Sequence, residues 1–248
     1  MKTAAIILAA GKGTRMYQSG EVSLNRNSVK DIRQQKKQYM QVHGYPIVYY
    51  ALKAFEEAGI DQLILVTGAE DVEYCRTRIV ETYHINRVTH ILSGGKERYD
   101  SVMAGLQAVA EDTDYILIHD GARPCVTGSL IQRCLAEAQQ YGTSVAAVPV
   151  KDTIKRGDAE GFAVDTLVRS ELYQVQTPQT FAAGLIREAY GALALDNASG
   201  ITDDAMVVER YTDARMKLTL GDYRNIKVTT PEDLLLAEVF LAEMLQKK

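Results

Sequence analysis

The sequence lacks any excess of positive charge, any paired set of cysteines, any long apolar run and any composition break. Its formal charge is −4, with 28 Lys and Arg against 32 Asp and Glu. No basic stripe with interleaved aromatics runs through it, which argues against a nucleic-acid binder. The three cysteines, Cys75, Cys125 and Cys134, have neither an even count nor metal-ligand spacing. They read as reduced thiols used in packing. No stretch approaches the ~18 apolar residues of a membrane span, and the first residues do not follow the order of a secretory signal. The expected compartment is therefore the cytoplasm, with no membrane partner. No Pro/Gly/Ser-rich linker, repeat or low-complexity tract divides the chain. One domain over residues 1–248 is expected.

What is present begins with an apolar run over residues 4–10, followed by Gly11-Lys12-Gly13-Thr14-Arg15-Met16. A buried parallel strand that ends in a glycine-rich turn delivers that turn to the carboxyl edge of an open α/β sheet, where such folds bind ligands. Two glycines allow backbone N–H groups to converge on an anion, and Lys12 and Arg15 add charge. The turn suits a polyphosphate. It is neither a dinucleotide fingerprint, since Met16 stands at the third glycine, nor a P-loop by spacing. Taken alone, it serves equally well as plain turn chemistry.

Further along, strands are expected over 62–67, 88–92, 115–119 and 144–150, alternating with helices over 46–58, 72–83, 98–110 and 130–140. Near-continuous apolar strands joined by crossovers of about a dozen residues indicate a doubly wound, mostly parallel α/β sheet covered on both faces. Between the first loop and the helix after Pro46, residues 17–36 are polar and without a period. They read as a long loop with a short helix over 29–35. The alternation breaks at Lys151, where two short segments flank a Gly/Asp turn. These suggest a projecting β-hairpin arm at about 151–170 that embraces another subunit. Later elements are helices over 185–193 and 204–210, strands over 217–220 and 225–228, and a last helix capped by Thr230-Pro231-Glu232-Asp233.

Three strand ends share the predicted carboxyl edge: Gly11 to Arg15, Ser93 to Arg98, and His119 to Pro124. The second combines two glycines with a helix N-terminus. The third sets Asp120 at a strand end with Arg123 three residues on, suited to a sugar hydroxyl, to Mg²⁺ or to a plain loop salt bridge.

Eight stretches carry a resemblance to a known family. They are Leu8-Ala-Ala-Gly-Lys-Gly-Thr-Arg-Met16, Lys37-Gln-Tyr39, Gly94-Gly-Lys-Glu-Arg98 with Asp100-Ser-Val102, and His119-Asp-Gly-Ala-Arg-Pro124. They continue with Val150-Lys-Asp-Thr-Ile-Lys-Arg156, Gln176-Thr-Pro-Gln179, Ile201-Thr-Asp203 and Asn225-Ile-Lys-Val-Thr229. In this order they resemble the 2-C-methyl-D-erythritol 4-phosphate cytidylyltransferases of the non-mevalonate isoprenoid pathway, which have a Rossmann-like nucleotidyltransferase fold.

The resemblance implies transfer of a cytidylyl group from CTP to the polyol phosphate. Ala9, Ala10, Gly11 and Gly13 would hold the triphosphate, with Arg15 and Lys37 bracing the transition state. Gly95, Lys96 and Ser101 would surround the cytosine. Asp120 would face both substrates, and Arg123, Thr202 and Lys227 the sugar-phosphate side. Thr153, Arg169 and Thr177 would be arm positions lent to the neighbouring subunit of a homodimer. Mg²⁺ would be held mainly by the CTP phosphates, with Asp120 the one protein candidate. The chain departs from the family in the twenty residues 17–36 and in Lys36, which stands where a proline commonly precedes the lysine. Lys36 is thus the alternative to Lys37. Ribitol 5-phosphate is the alternative substrate, and a non-catalytic nucleotide-binding regulator the alternative from another class.

Overall fold

The structure is a computed structural model and describes residues 1–11, 36–196 and 199–246. Gly13, Arg15 and the helix expected over 29–35 lie outside the described residues, as does the loop expected over 17–36 apart from Lys36.

The chain opens with strand β1 (Thr3–Ala9) and, after Lys36, a single 3-10 turn at Lys37–Tyr39. A small hairpin, β2 (Gln41–Val42) and β3 (Tyr45–Pro46), turns through His43 and Gly44, both at positive φ. Then follow α1 (Ile47–Glu57), β4 (Gln62–Thr67), α2 (Val72–Cys75), β5 (Val88–Ser93), α3 (Arg98–Ala108), β6 (Tyr115–Asp120), α4 (Gly128–Tyr141) and β7 (Thr143–Pro149). The arm is β8 (Lys155–Gly157) and β9 (Ala163–Thr166). The chain ends with β10 (Tyr173–Ala182), α5 (Ala183–Leu193), α6 (Asp204–Tyr211), β11 (Leu218–Leu220) and α7 (Pro231–Gln246).

Among the described residues, seven strands form one sheet in the order β11-β7-β10-β6-β1-β4-β5. β1 pairs in parallel with both β4 and β6 at the centre, whereas β10 runs antiparallel between β6 and β7. The two-residue period of the strands decides what packs where. Ala4, Ile6, Ile64, Val66, Ile116 and Ile118 face α3, α5 and α6. Ala5, Ile7, Leu63, Leu65 and Leu117 face α1, α2 and α4. Burying each Ile or Leu contributes about 1.5–3 kcal/mol, so both faces favour the same doubly wound arrangement. Helix α3 lies so close to β1 that a Cβ on Gly105 would come within 2.6 Å of Ile6. That close approach sets the N-terminus of α3 beside the end of β1.

Four expectations need correction. The helix over 72–83 is α-helical only to Cys75 and continues as a π-helix over Arg76–Glu81. Gln176-Thr-Pro-Gln179 lies within β10, a ten-residue strand not anticipated at all. Residues 225–228 form no strand. Ile226 and Val228 instead pack with α7, Val42 and Ile47, and the Val228 N–H donates to Ala122 O at 2.8 Å, leaving the segment as a strap across the sheet edge. Thr177 is not on the arm but buried in β10. The arm pairs β8 with β9 alone and exposes Phe162, Val164 and Val168.

Candidate active site

The carboxyl ends of β1, β5 and β6 open on a cleft of about 750 Å³. One wall is the end of β1, with Leu8, Ala9, Ala10 and Gly11. Beside it stands the turn that carries Lys37, which lines the cleft. Three neighbours rivet this turn in place. Gln38 Nε2 donates to Ala9 O at 2.7 Å and Gly11 O at 3.3 Å. Lys36 Nζ pairs with Glu70 and the buried Asp71, each at 2.6 Å. The Tyr39 hydroxyl is bonded to Thr67 and accepts from Cys75. With Lys36 committed away from the cleft, the geometry favours Lys37 over Lys36.

The second wall is the turn after β5. Gly95 N donates to Ser101 Oγ at 3.2 Å, and Glu97 with Asp100 forms a capping box at the start of α3. A Cβ on Gly94 would fall 2.5 Å from Ser101 Oγ and 2.7 Å from Ala10 Cβ, so only glycine lets the two walls close to this distance. Gly95, Lys96 and Ser101 line this side, where the positive end of α3 favours negative charge.

Asp120 ends β6 at the centre of a cation cluster. Lys227 Nζ lies 2.9 Å from its Oδ2, Arg123 Nε 3.6 Å from the same oxygen, and Arg98 Nε 3.6 Å from Oδ1. Burial would raise the Asp120 carboxyl, but Lys227, then Arg98 and Arg123, outweigh it and hold the group well below the usual carboxylate range. Arg98 itself grips Asp204 through both Nη atoms at 2.8 and 2.7 Å. Three cations thus face two carboxylates, and the surplus suits a phosphate. The same surplus suits a divalent cation poorly. Among the described residues no group of three His, Cys, Asp or Glu side chains is placed to hold a metal.

A family model of 2-C-methyl-D-erythritol 4-phosphate cytidylyltransferase (IspD) matches residues 3–243. A relative of that name from Lachnospira eligens is 48% identical over 239 residues, covering 96% of this chain and 98% of its own. Another from Clostridium novyi is 44% identical over 241 residues, covering 97% and 96%. A solved 4-diphosphocytidyl-2C-methyl-D-erythritol synthase from Anaerococcus prevotii superposes with a TM-score of 0.79 at 28% identity, covering 97% of this chain and 98% of that one. The chain belongs to the 2-C-methyl-D-erythritol 4-phosphate cytidylyltransferase family. Neither the ribitol phosphate alternative nor the non-catalytic regulator draws support from these likenesses.

For a 2-C-methyl-D-erythritol 4-phosphate cytidylyltransferase, the residue placement is uneven. The cleft brings together Ala9, Ala10, Gly11, Lys37, Gly95, Lys96, Ser101, Asp120 and Lys227. Arg123 sits behind it, donating to Asn225 O at 2.8 Å and so bracing the strap that carries Lys227. Thr202 is exposed on the approach to α6. Thr153 and Arg169 are exposed on and beside the arm and do not line the cleft of their own chain. Sequence reasoning missed Gln38 and Arg98 as site residues. Both stand inside quoted motifs, but their partners are distant in the chain.

Thr177 serves the site from beneath. His119 Nε2 donates to Arg123 O at 3.2 Å, so Nδ1 accepts from the Thr177 hydroxyl at 2.9 Å. The Thr177 oxygen in turn accepts the Asp120 N–H at 3.1 Å. Burial pushes His119 down to about 4. An unfolded histidine titrates near ~6.5, so the native state binds fewer protons between these values. His119 therefore contributes stability that is complete above the unfolded value and is lost as pH falls toward 4. In denaturant titrations, wild type should lose about 2 kcal/mol more than His119→Asn between pH 7 and 4.5. Equal losses would contradict the buried neutral imidazole.

Proposed function

We propose that this cleft transfers the cytidylyl group of CTP to 2-C-methyl-D-erythritol 4-phosphate, giving 4-diphosphocytidyl-2-C-methyl-D-erythritol and pyrophosphate. The observation that carries the reading is a single cleft that joins the glycine turns of β1 and β5 to the cation cluster around Asp120.

An oxygen of the polyol phosphate attacks the α-phosphorus of CTP in line, a new P–O bond forms, and the bond to the β-phosphate breaks as pyrophosphate leaves. No general base is needed, because a phosphate monoester with a second pKa near ~6 is largely dianionic at neutral pH. Catalysis is positioning and charge. Lys37 meets the charge that gathers on the oxygens of the five-coordinate phosphorus, a contact of a kind worth about 3–4 kcal/mol. Arg15, outside the described residues, is assigned the same role. Gly95, Lys96 and Ser101 take the cytosine side. Lys227, held by Asp120, takes the acceptor phosphate, with Arg123 supporting it, and exposed Thr202 ahead of α6 is assigned to the same substrate. Mg²⁺ enters as part of the substrate, MgCTP, because Asp120 is committed to Lys227 and its neighbours.

The arm explains why Thr153 and Arg169 stand apart. Exposed Phe162, Val164 and Val168 fit burial against a second copy of the chain, which brings Thr153 and Arg169 to the partner's cleft. The reading is of a homodimer of single nucleotidyltransferase domains working in the cytoplasm. Among the described residues no helix is long and apolar enough to cross a membrane.

Phosphorus NMR of protein, MgCTP and the erythritol phosphate tests the transfer. The expected result is a coupled pair of diphosphate resonances from a CDP-alcohol beside free pyrophosphate. Unchanged CTP would overturn the reading.

A further inference from the structure

Arg98 is the first residue of α3, directly after the Gly95 and Lys96 side of the cleft, and its own side chain lines that cleft. Its two Nη atoms are spent on Asp204, while Nε lies 3.6 Å from Asp120 Oδ1. Asp204 cannot follow if Arg98 shifts. Its carboxylate is fully buried and accepts the Tyr190 hydroxyl at 2.7 Å. Its backbone N–H, together with that of Ala205, donates to Gln179 Oε1 at 3.0 and 2.9 Å. Gln179 is buried in β10, the strand that also holds Thr177 beneath Asp120.

We infer that Arg98 is a positioning residue that aligns the nucleotide half of the cleft with the acceptor half, using Asp204 as its fixed anchor. The inference rests on the cytidylyl-transfer reading above. A lysine would neutralise Asp204 equally well, but an ammonium is a point charge. The planar fork fixes the direction of the side chain through two parallel bonds and leaves Nε toward Asp120. In-line attack is sensitive to such placement, since a displacement of about 1 Å costs on the order of a hundredfold in rate. The signature of lost alignment is therefore a fall in kcat with both substrates still bound.

The test is Arg98→Lys, assayed by pyrophosphate release and titrated calorimetrically with MgCTP. We expect kcat per titrated CTP site to fall about thirtyfold, with KM for each substrate changed less than about threefold and wild-type CTP stoichiometry. A wild-type kcat would overturn the inference. So would a loss of CTP stoichiometry that accounts for the whole fall in rate, which is what a pair that merely holds the fold would give. Should Arg98→Lys fail to fold, Asp204→Asn keeps an acceptor for Arg98 and carries the test. Its kcat must fall at least about fivefold at full CTP stoichiometry, and an unchanged kcat overturns the inference. If wild type binds CTP but releases no pyrophosphate with the erythritol phosphate, the transfer reading fails and this one with it. If wild type turns over and Arg98→Lys matches it, only this one fails.

Discussion

Lys37→Ala is expected to lower kcat by about a hundredfold or more, with CTP affinity changed far less. The asymmetry follows from when the contact matters. Ground-state CTP already carries its negative charge on phosphates that glycine N–H groups and Mg²⁺ can meet. In the proposed reaction the additional charge gathers on the oxygens of the α-phosphorus only during transfer, and Lys37, which lines the cleft, is the group proposed to meet it. Lys36→Ala is the control, because Lys36 is the alternative that the sequence left open. In the structure Lys36 pairs with Asp71, whose side chain is 1% exposed, and with Glu70. Its removal should therefore cost about 1–3 kcal/mol of stability while leaving kcat per folded molecule near wild type. Steady-state kinetics, CTP titration and thermal melts on the two variants separate the roles. A severe kinetic defect in Lys36→Ala with a mild one in Lys37→Ala would assign the chemistry to Lys36 and contradict the account.

Mixing two inactive variants should restore activity. Lys37 belongs to the cleft of its own chain, and Arg169 is exposed outside it. If Arg169 completes the partner's cleft, each site needs one residue from each chain, and Lys37→Ala and Arg169→Ala are each nearly dead alone. In a heterodimer of the two, one site collects both defects and the other collects none. Random exchange makes about half the dimers heterodimers, so about a quarter of wild-type activity should return. The gain depends on symmetry and not on the strength of any contact, which makes it insensitive to small changes in stability. Were both residues supplied by one chain, every site would carry a defect and no activity would return.

The parallel half of the fold was legible because its signals are local. β1, β4 and β6 each carry an apolar run ended by turn residues, β5 keeps only Val88, Ile91 and Leu92 around Thr89 and His90, and the intervening helices carry apolar faces. β10 was not legible. Its Gln176, Thr177, Gln179 and Thr180 are polar yet buried; Gln179 and Thr180 pair with β6 on one side and β7 on the other, while Gln176 and Thr177 sit at the break in the β7 register. Residues 225–228 failed in the opposite way. Ile226 and Val228 alternate like a strand, but α7 takes their apolar side chains, and Asn225 donates to Thr177 O at 2.8 Å instead of joining a ladder. The cleft shows the same division. Glycine turns and the aspartate at the end of β6 could be read from neighbouring residues, whereas the Arg98–Asp204 pair joins positions 106 residues apart. Gln38 is similar, since its function is to hold a backbone 27 to 29 residues before it.

The central claim is that the cleft joins CTP to one particular polyol phosphate, and the rate of pyrophosphate release tests it most directly. At saturating MgCTP, kcat/KM should be measured for 2-C-methyl-D-erythritol 4-phosphate and for ribitol 5-phosphate in parallel. The account predicts turnover with the erythritol phosphate and a preference of at least about a hundredfold over ribitol phosphate. Turnover of ribitol phosphate with the erythritol phosphate inert would contradict the substrate assignment, and release with neither would contradict catalysis itself.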